Sequence, residues 1–534
     1  MHNFIGSKFK ANCRQLFAAI SVNLVTFSFG LYTGWSSTVS PMFTDPKETP
    51  LDHVMTDNSI SWACSWGMLS AILGTFFWGM LADNFGRKTT GFLTMLPYLV
   101  SWIILLVVKT ETALMVSRFL GGLGASGAAI NCPMYVGEVS DEAMKAGLGS
   151  LFILMYNIGV LYVYVFGVMV DYTHLNLACL AISLLFMIVW MYVPESPIFL
   201  IQKKRIDEAR QSLMWFRGKD NDKEVSDEMD SLMRHGDQLT KATLADYKKR
   251  GTLKALLIGL VFQAGTQFSG INIILMYTVD IFKKSGSRMS PHSCTILVGV
   301  VQVIGSAIAT LTVHRAGRKF FLMVTYGVTA LALITIGTCF YVNKVDPSIN
   351  TGILPVLSLS VHVIAFSLGL GMVPYIIYTE VFPANVRNIC MSLLMFFNNV
   401  LGFVIIKAYP SMSEALHTSG YFWMFGAVCL AVVPYTYLFV PETKDKAYED
   451  IRRELLLWFP DRRHKNKAAA VDKETAADQV DGGDAGNVVV VEANEMKVYM
   501  GKDQSCFATP QRARDNCLIS VNITDLRGMG EWEN

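Results

Sequence analysis

Charge is scarce in this chain: Asp, Glu, Lys and Arg together make up 16% of its 534 residues, against roughly 25% in an ordinary soluble domain. With 52% of its residues hydrophobic, most of the chain must face something other than water. Neither sign of charge dominates. The net charge of +2, spread over a long chain, leaves no basic footprint of the kind nucleic-acid binding needs, so no nucleic-acid partner is expected. The ten cysteines stand far apart, without the paired spacings of zinc or redox sites, and most read as small buried apolar residues. No metal-ligand cluster, nucleophile–base set or phosphate loop is evident. The run Gly121-Gly122-Leu123-Gly124 lies inside an apolar stretch, where small residues let helices approach closely. An enzyme is therefore not expected, and neither a metal nor a cofactor is called for.

What the chain has in abundance is long apolar stretches. Backbone groups in hydrocarbon must be satisfied within their own helix, so each crossing needs about 20 mostly apolar residues. That ruler predicts an all-α membrane protein with about twelve transmembrane helices. The first six run roughly 16–40, 60–81, 90–108, 112–136, 147–170 and 174–193. The second six run roughly 253–281, 293–313, 320–342, 353–381, 389–410 and 420–440. The apolar stretch from Leu16 to Val39 exceeds the roughly 7–15 residues of a signal-peptide core, so it reads as an uncleaved first span.

Orientation follows from Lys and Arg in the short loops. Arg87, Lys88, Lys145, Arg315, Arg318, Lys319 and Arg387 fall on the side of the N-terminus, which is predicted to be the cytoplasm. Lys283, Lys284 and Arg288 run against the rule. An even number of spans then leaves both termini inside. The expected organisation is a cytoplasmic N-terminus (1–15), a first six-helix bundle (16–201), a cytoplasmic helical linker (202–252), a second bundle (253–441) and a cytoplasmic tail (442–534). The linker carries a helical pattern in Ile206, Ala209, Leu213 and Phe216. The tail is rich in Ala, Asp, Gly and Val with little to bury, so it is expected to be largely disordered. Asn522-Ile523-Thr524 matches a glycosylation pattern, but a cytoplasmic tail does not meet the modifying enzyme.

The two halves share a phrase. Asp83-Asn84-Phe85-Gly86-Arg87-Lys88 follows the second span, and His314-Arg315-Ala316-Gly317-Arg318-Lys319 follows the eighth. These are equivalent positions of a six-plus-six duplication, with Gly permitting a tight turn and the basic residues holding it inside. Further phrases are Arg118-Phe119-Leu120 with Pro133-Met134-Tyr135-Val136-Gly137-Glu138, Pro194-Glu195-Ser196-Pro197, Gln267-Phe268-Ser269-Gly270-Ile271-Asn272, and Pro441-Glu442-Thr443-Lys444.

In these phrases, over residues 16–457, the chain resembles the major facilitator superfamily. Within it the resemblance is to the sugar porters, in the branch of glucose facilitators and insect facilitated trehalose transporters. The resemblance implies the major facilitator fold: two six-helix bundles about a pseudo-two-fold axis, with the solute bound between them near the midplane. It implies a multi-pass protein, expected in the plasma membrane, whose partners are the lipid bilayer and a small solute of the sugar class. It also implies that Asp83, Arg87, Glu138, Lys145 and Glu195 of the first bundle and Arg315, Arg318, Glu380, Arg387 and Glu442 of the second form cytoplasmic ion pairs. Those pairs would latch the bundles when the cavity opens outward and release when it opens inward. The plainer reading is that they are solubilising, positive-inside charges, each exposed pair contributing only about 0–1 kcal/mol.

Arg118 lies inside the fourth span, where an ionisable group is costly and is a functional candidate, or else a tie to neighbouring helix carbonyls. Sugar hydroxyls both donate and accept, as amides do. The resemblance places Gln267 and Asn272 on sugar-binding positions, with Gln302 and Asn398 matching or replacing family amides. The competing role for such residues is glue between helices. Gln267 and Asn272 are five apart, about 140° around a straight helix, so they share a face only if the helix unwinds near Ser269-Gly270. Tyr277 and Gly371-Met372-Val373-Pro374-Tyr375 read as gate elements, since Pro374 can kink the helix or simply shape its packing.

Departures bear on the cargo. Thr266 stands where the family has a second glutamine and Ile153 where it has a sugar-binding one. Asn399 and Tyr375 replace tryptophans, Met372 a proline, and His314 an acidic residue. Thr266 and Asn399 therefore join the candidate solute-binding set. The first span has no carboxylate between Leu16 and Pro41, which favours uniport over proton coupling. The alternatives are a non-transporting membrane receptor that signals through the tail, and a related carrier for a non-hexose solute.

Overall fold

The computed structural model describes residues 2–219, 225–237, 244–284, 290–312, 317–346, 353–444, 446 and 448–457, with three short stretches of the tail at 490–491, 497–500 and 504–507. Twelve helices among them are long and apolar enough to cross a membrane. The first half has Phe9–Phe43, Asp57–Phe85, Arg87–Val107, Glu111–Val139, Gly147–Met169 and Tyr172–Trp190. The second half has Arg250–Lys283, Pro291–Ala309, Arg318–Val345, Leu354–Val381, Ile389–Ala415 and His417–Phe439. They are numbered here spans one to twelve. An even count puts the start of span one and the end of span twelve on one side, the terminal face; the other is the distal face.

Helix starts are set by local chemistry. Thr56 and Thr110 cap spans two and four by accepting the amides of Ser59 and Ala113, as Ser196 accepts that of Phe199 at a short helix beyond span six. Gly86, at φ 94°, makes the turn between spans two and three, a conformation costly for any residue with a Cβ. Span one is longer than the 20-residue ruler predicts, and the N-terminal part of its helix braces the linker. Gln15 donates to Asp141 and Phe216 O, and Arg14 to Trp215 O.

The bundles pack through small residues. A Cβ on Gly122 of span four would lie 2.2 Å from Gly67 O of span two, and one on Gly30 of span one 2.1 Å from Tyr156 O of span five. These crossings bring backbones together, as van der Waals association in lipid favours. Two spans are broken. Span seven is two helices, Arg250–Phe268 and Ile271–Lys284, joined at Gly270 with φ 75°. Span ten is a helix at Leu354–Ala365, a π turn at Phe366–Leu370, and a final helix at Val373–Val381 that begins with Pro374 in its first turn.

Between the halves, short helices at Pro197–Gln202, Ile206–Arg217, Ser226–Asp237 and Leu244–Lys248 follow one another. Phe199, Leu200, Leu213 and Met229 form a small core there. Arg217 pairs with Glu228 within the linker at 2.7 Å and ties the linker to the first bundle by pairing with Asp141 at 2.8 Å. Residues 459–534 form a separate unit. Its described residues are antiparallel strands Val490–Val491, Lys497–Met500 and Gln504–Phe507. The rest of the tail lies outside the described residues.

Candidate functional site

The break in span seven decides the position of its two amides. Because the helix interrupts at Ser269-Gly270, Asn272 folds back to donate through Nδ2 to Gln267 Oε1 at 2.9 Å. Gln267 Nε2 in turn donates to Asn398 Oδ1 of span eleven, also at 2.9 Å. Three of the predicted amides thus form one chain, with its middle member only 3% exposed. Whichever way each amide is turned, the chain ends in two polar atoms, one on Asn272 and one on Asn398, that this bonding leaves unused. Gly402, one turn beyond Asn398, keeps space beside Gln267: a Cβ there would be 3.3 Å from Gln267 Nε2 and from Met68 Sδ of span two.

The other solute candidates are held differently. Gln302 of span eight does not bond to the chain; its Nε2 donates to Asn157 Oδ1 of span five at 2.8 Å, joining the bundles near mid-membrane. Asn157 escaped the sequence reading, since a single amide in an apolar span has nothing local to distinguish it. Asn399 Nδ2 reaches Thr75 Oγ1 of span two at 3.3 Å, and Thr266 lies beside Tyr326 of span nine.

Contacts between bundles run from the distal end to mid-membrane. Ser37 Oγ of span one accepts the Val279 amide of span seven, and Tyr164 of span five donates to Leu275 O. Lys407 of span eleven donates to Asn58 Oδ1 at 2.6 Å and Ser61 Oγ at 2.9 Å, and its ammonium lies 4.5 Å from the Trp62 ring centroid. Tyr277 has a non-helical backbone (φ −124°, ψ 19°), and its ring packs 4.6 Å from that of Tyr409. Tyr375, in the first turn after the break in span ten, packs on Tyr378 and reaches Met395 Sδ at 3.8 Å.

On the terminal face the two halves repeat one device. Glu195 accepts the backbone amides of Arg87 and Lys88 at the start of span three, and Glu442 accepts those of Arg318 and Lys319 at the start of span nine. A carboxylate at a helix N-terminus satisfies otherwise unpaired donors and complements the helix dipole. Burial pushes the Glu195 carboxyl above its usual range, while the amides of Ser196, Lys88 and Arg87 pull it back. The Arg87 guanidinium bonds Glu138 at 2.8 and 3.0 Å, donates to Ala82 O and lies 3.6 Å from Asp83. Arg318 bonds Glu380 at 3.2 Å. Arg387 donates to Phe382 O, and Lys145 is exposed near the start of the span-five helix. These bonds lie within single bundles. Arg315 falls outside the described residues.

Arg118, 2% exposed, is tied reciprocally to span one: its Nη1 donates to Tyr32 O at 2.9 Å, and the Tyr32 hydroxyl donates to Arg118 O at 2.8 Å. The Tyr32 ring lies 3.7 Å from the guanidinium carbon.

The family profile described as "Sugar (and other) transporter" matches residues 18–455. The chain belongs to that family. It is 33% identical over 451 residues to the facilitated trehalose transporter Tret1 of Culex quinquefasciatus, covering 84% of this chain and 86% of that protein. To the Tret1 of Aedes aegypti it is 32% identical over 447 residues, covering 83% of this chain and 55% of the relative. The chain thus spans only about half the length of several of these relatives. Among solved structures, the inward-open xylose transporter XylE of E. coli superposes with a TM-score of 0.66 at 20% identity, over 83% of this chain and 99% of that one. XylE bound to 6-bromo-6-deoxy-D-glucose gives 0.64 at 20% identity, over 84% and 99%. These likenesses show the major facilitator fold.

Proposed function

We propose that the protein is a facilitative transporter of a sugar or sugar-like small polar solute, working by alternating access between its two bundles. The observation that carries this reading is the chain Asn272–Gln267–Asn398. It joins amides of two spans beside a helix break and offers polar ends suited to hydroxyls that donate and accept. The names of the relatives make trehalose and xylose the first solutes to try. In this reading the terminal face is cytoplasmic, the membrane is the plasma membrane, and the charge sets around Arg87 and Arg318 belong to the cytoplasmic gate. Span one carries no carboxylate between Leu16 and Pro41, which supports uniport.

Purified protein in liposomes, offered mono- and disaccharides, polyols and small organic ions, tests the function. Flux down a gradient of one sugar, unchanged by a protonophore, is expected. Binding without flux would make it a receptor, and protonophore-sensitive accumulation would overturn uniport.

Lys407 gives a test of the distal closure. Lys407→Met removes both hydrogen bonds to span two and the contact with Trp62. It should shift the population toward states open on the distal face. Cys64, now 2% exposed beside Tyr277, is a native reporter. Its alkylation by a membrane-impermeant maleimide added on the distal side should speed up in the variant. Unchanged labelling would remove Lys407 from the gate.

A further inference from the structure

The ties to Tyr32 leave the Arg118 guanidinium incompletely bonded. Nε and Nη2 are buried without a hydrogen-bond partner, and among the described residues Arg118 forms no ion pair. It lines a small void toward the distal end of the first bundle, together with Ser36, Ser40 and Cys64 and the apolar walls of Trp35 and Ile60. The polar groups facing this void are a guanidinium, two hydroxyls and a thiol, and none of its lining residues is an Asp or Glu. A cation in this setting keeps the cost of its lost hydration. The rings of Tyr32 and Trp35, 3.7 and 5.5 Å from the guanidinium carbon, offset only part of that cost through their negative faces.

We infer that this void is a binding site for a small monovalent inorganic anion of halide size, held by Arg118 Nε and Nη2 with the hydroxyls of Ser36 and Ser40. A water molecule could accept the same hydrogen bonds but would leave the positive charge uncompensated. The site is separate from the amide chain of spans seven and eleven, and stands whether or not the cargo is a sugar. It does adjoin the distal closure, because Ser37, next to Ser36, accepts the Val279 amide across the bundle boundary.

The test is the thermal stability of the purified full chain in nanodiscs, in sodium chloride and in sodium gluconate at fixed ionic strength. The midpoint should rise saturably with chloride, because a ligand bound only by the folded state raises it by mass action. The double variant Ser36→Ala, Ser40→Ala should raise the half-saturating chloride concentration about threefold or more. Arg118→Gln should abolish the chloride effect. Because that variant could fail to fold, wild-type crystals grown in sodium bromide give an independent reading: an anomalous peak in the void beside Arg118 supports the site. Equal midpoints in chloride and gluconate, a chloride response undiminished in the serine variant, or a void holding only water in bromide would each overturn it.

Discussion

Gln267→Ala is expected to weaken solute binding by about 1–3 kcal/mol, or roughly 5- to 150-fold in Kd, while the protein still folds. Gln267 uses both ends of its amide, accepting from Asn272 and donating to Asn398. Its loss therefore separates the two outer members as well as removing one. Because the three act as a unit, Gln267→Ala and Asn398→Ala combined should cost little more than either alone. Equilibrium binding of the transported sugar to purified protein reads this directly. Fully additive losses would mean independent contacts. Loss of folding with affinity retained in the surviving fraction would mean that the amides are interhelical glue. The converse change is Ile153→Gln. Residue 153 lies one helical turn before Asn157, on the same face of span five, and Asn157 already bonds Gln302. A glutamine there should strengthen hexose binding if this site has lost a contact its relatives keep; no gain in hexose binding points to a different cargo.

The parts of this arrangement that could be read from sequence are those set by short-range rules. The spans follow from the length of helix that hydrocarbon requires, and the approximate ranges fall on all twelve helices. The Gly270 break was legible because Gln267 and Asn272 can share a face only if the helix unwinds between them. What escaped depends on which surfaces meet. Tyr32 and Arg118 bond reciprocally across 86 positions, and nothing near either residue in the sequence points to the other. Asn157 and Lys407 resemble an isolated polar residue and an interfacial anchor until spans eight and two are placed opposite them. Glu195 and Glu442 were recognisable as charges. Their capping of spans three and nine appears only when the ends of spans six and twelve return to those helix starts.

Arg87 and Arg318 occupy equivalent places in the repeated phrase, yet the structure makes their removal unequal. Arg87→Ala should destabilise the folded protein by about 3–5 kcal/mol, because it leaves a buried carboxylate without its cation. The Arg87 side chain is 4% exposed and that of Glu138 14%, and two guanidinium nitrogens share one Glu138 oxygen. Among the hydrogen bonds of the described residues, the Ser196 hydroxyl would remain as a donor to the Glu138 carboxylate. Arg318 makes one longer bond to Glu380, with side chains 14% and 26% exposed, so this pair is less deeply buried than the first and its loss costs less. Arg318→Ala should cost about 1 kcal/mol or less. Since folded domains are stable by only about 5–15 kcal/mol, the first variant should aggregate or melt early in detergent, while the second stays monodisperse. Arg87→Lys keeps the charge but loses the planar guanidinium that reaches Ala82 O and Glu138 together, and should fall between them. Equal melting shifts for the two alanine variants would contradict this account. If Arg318→Ala proves the stable variant, it is the one in which transport rates and distal-face labelling can test whether these charges also act as a gate, free of the folding defect that Arg87→Ala introduces.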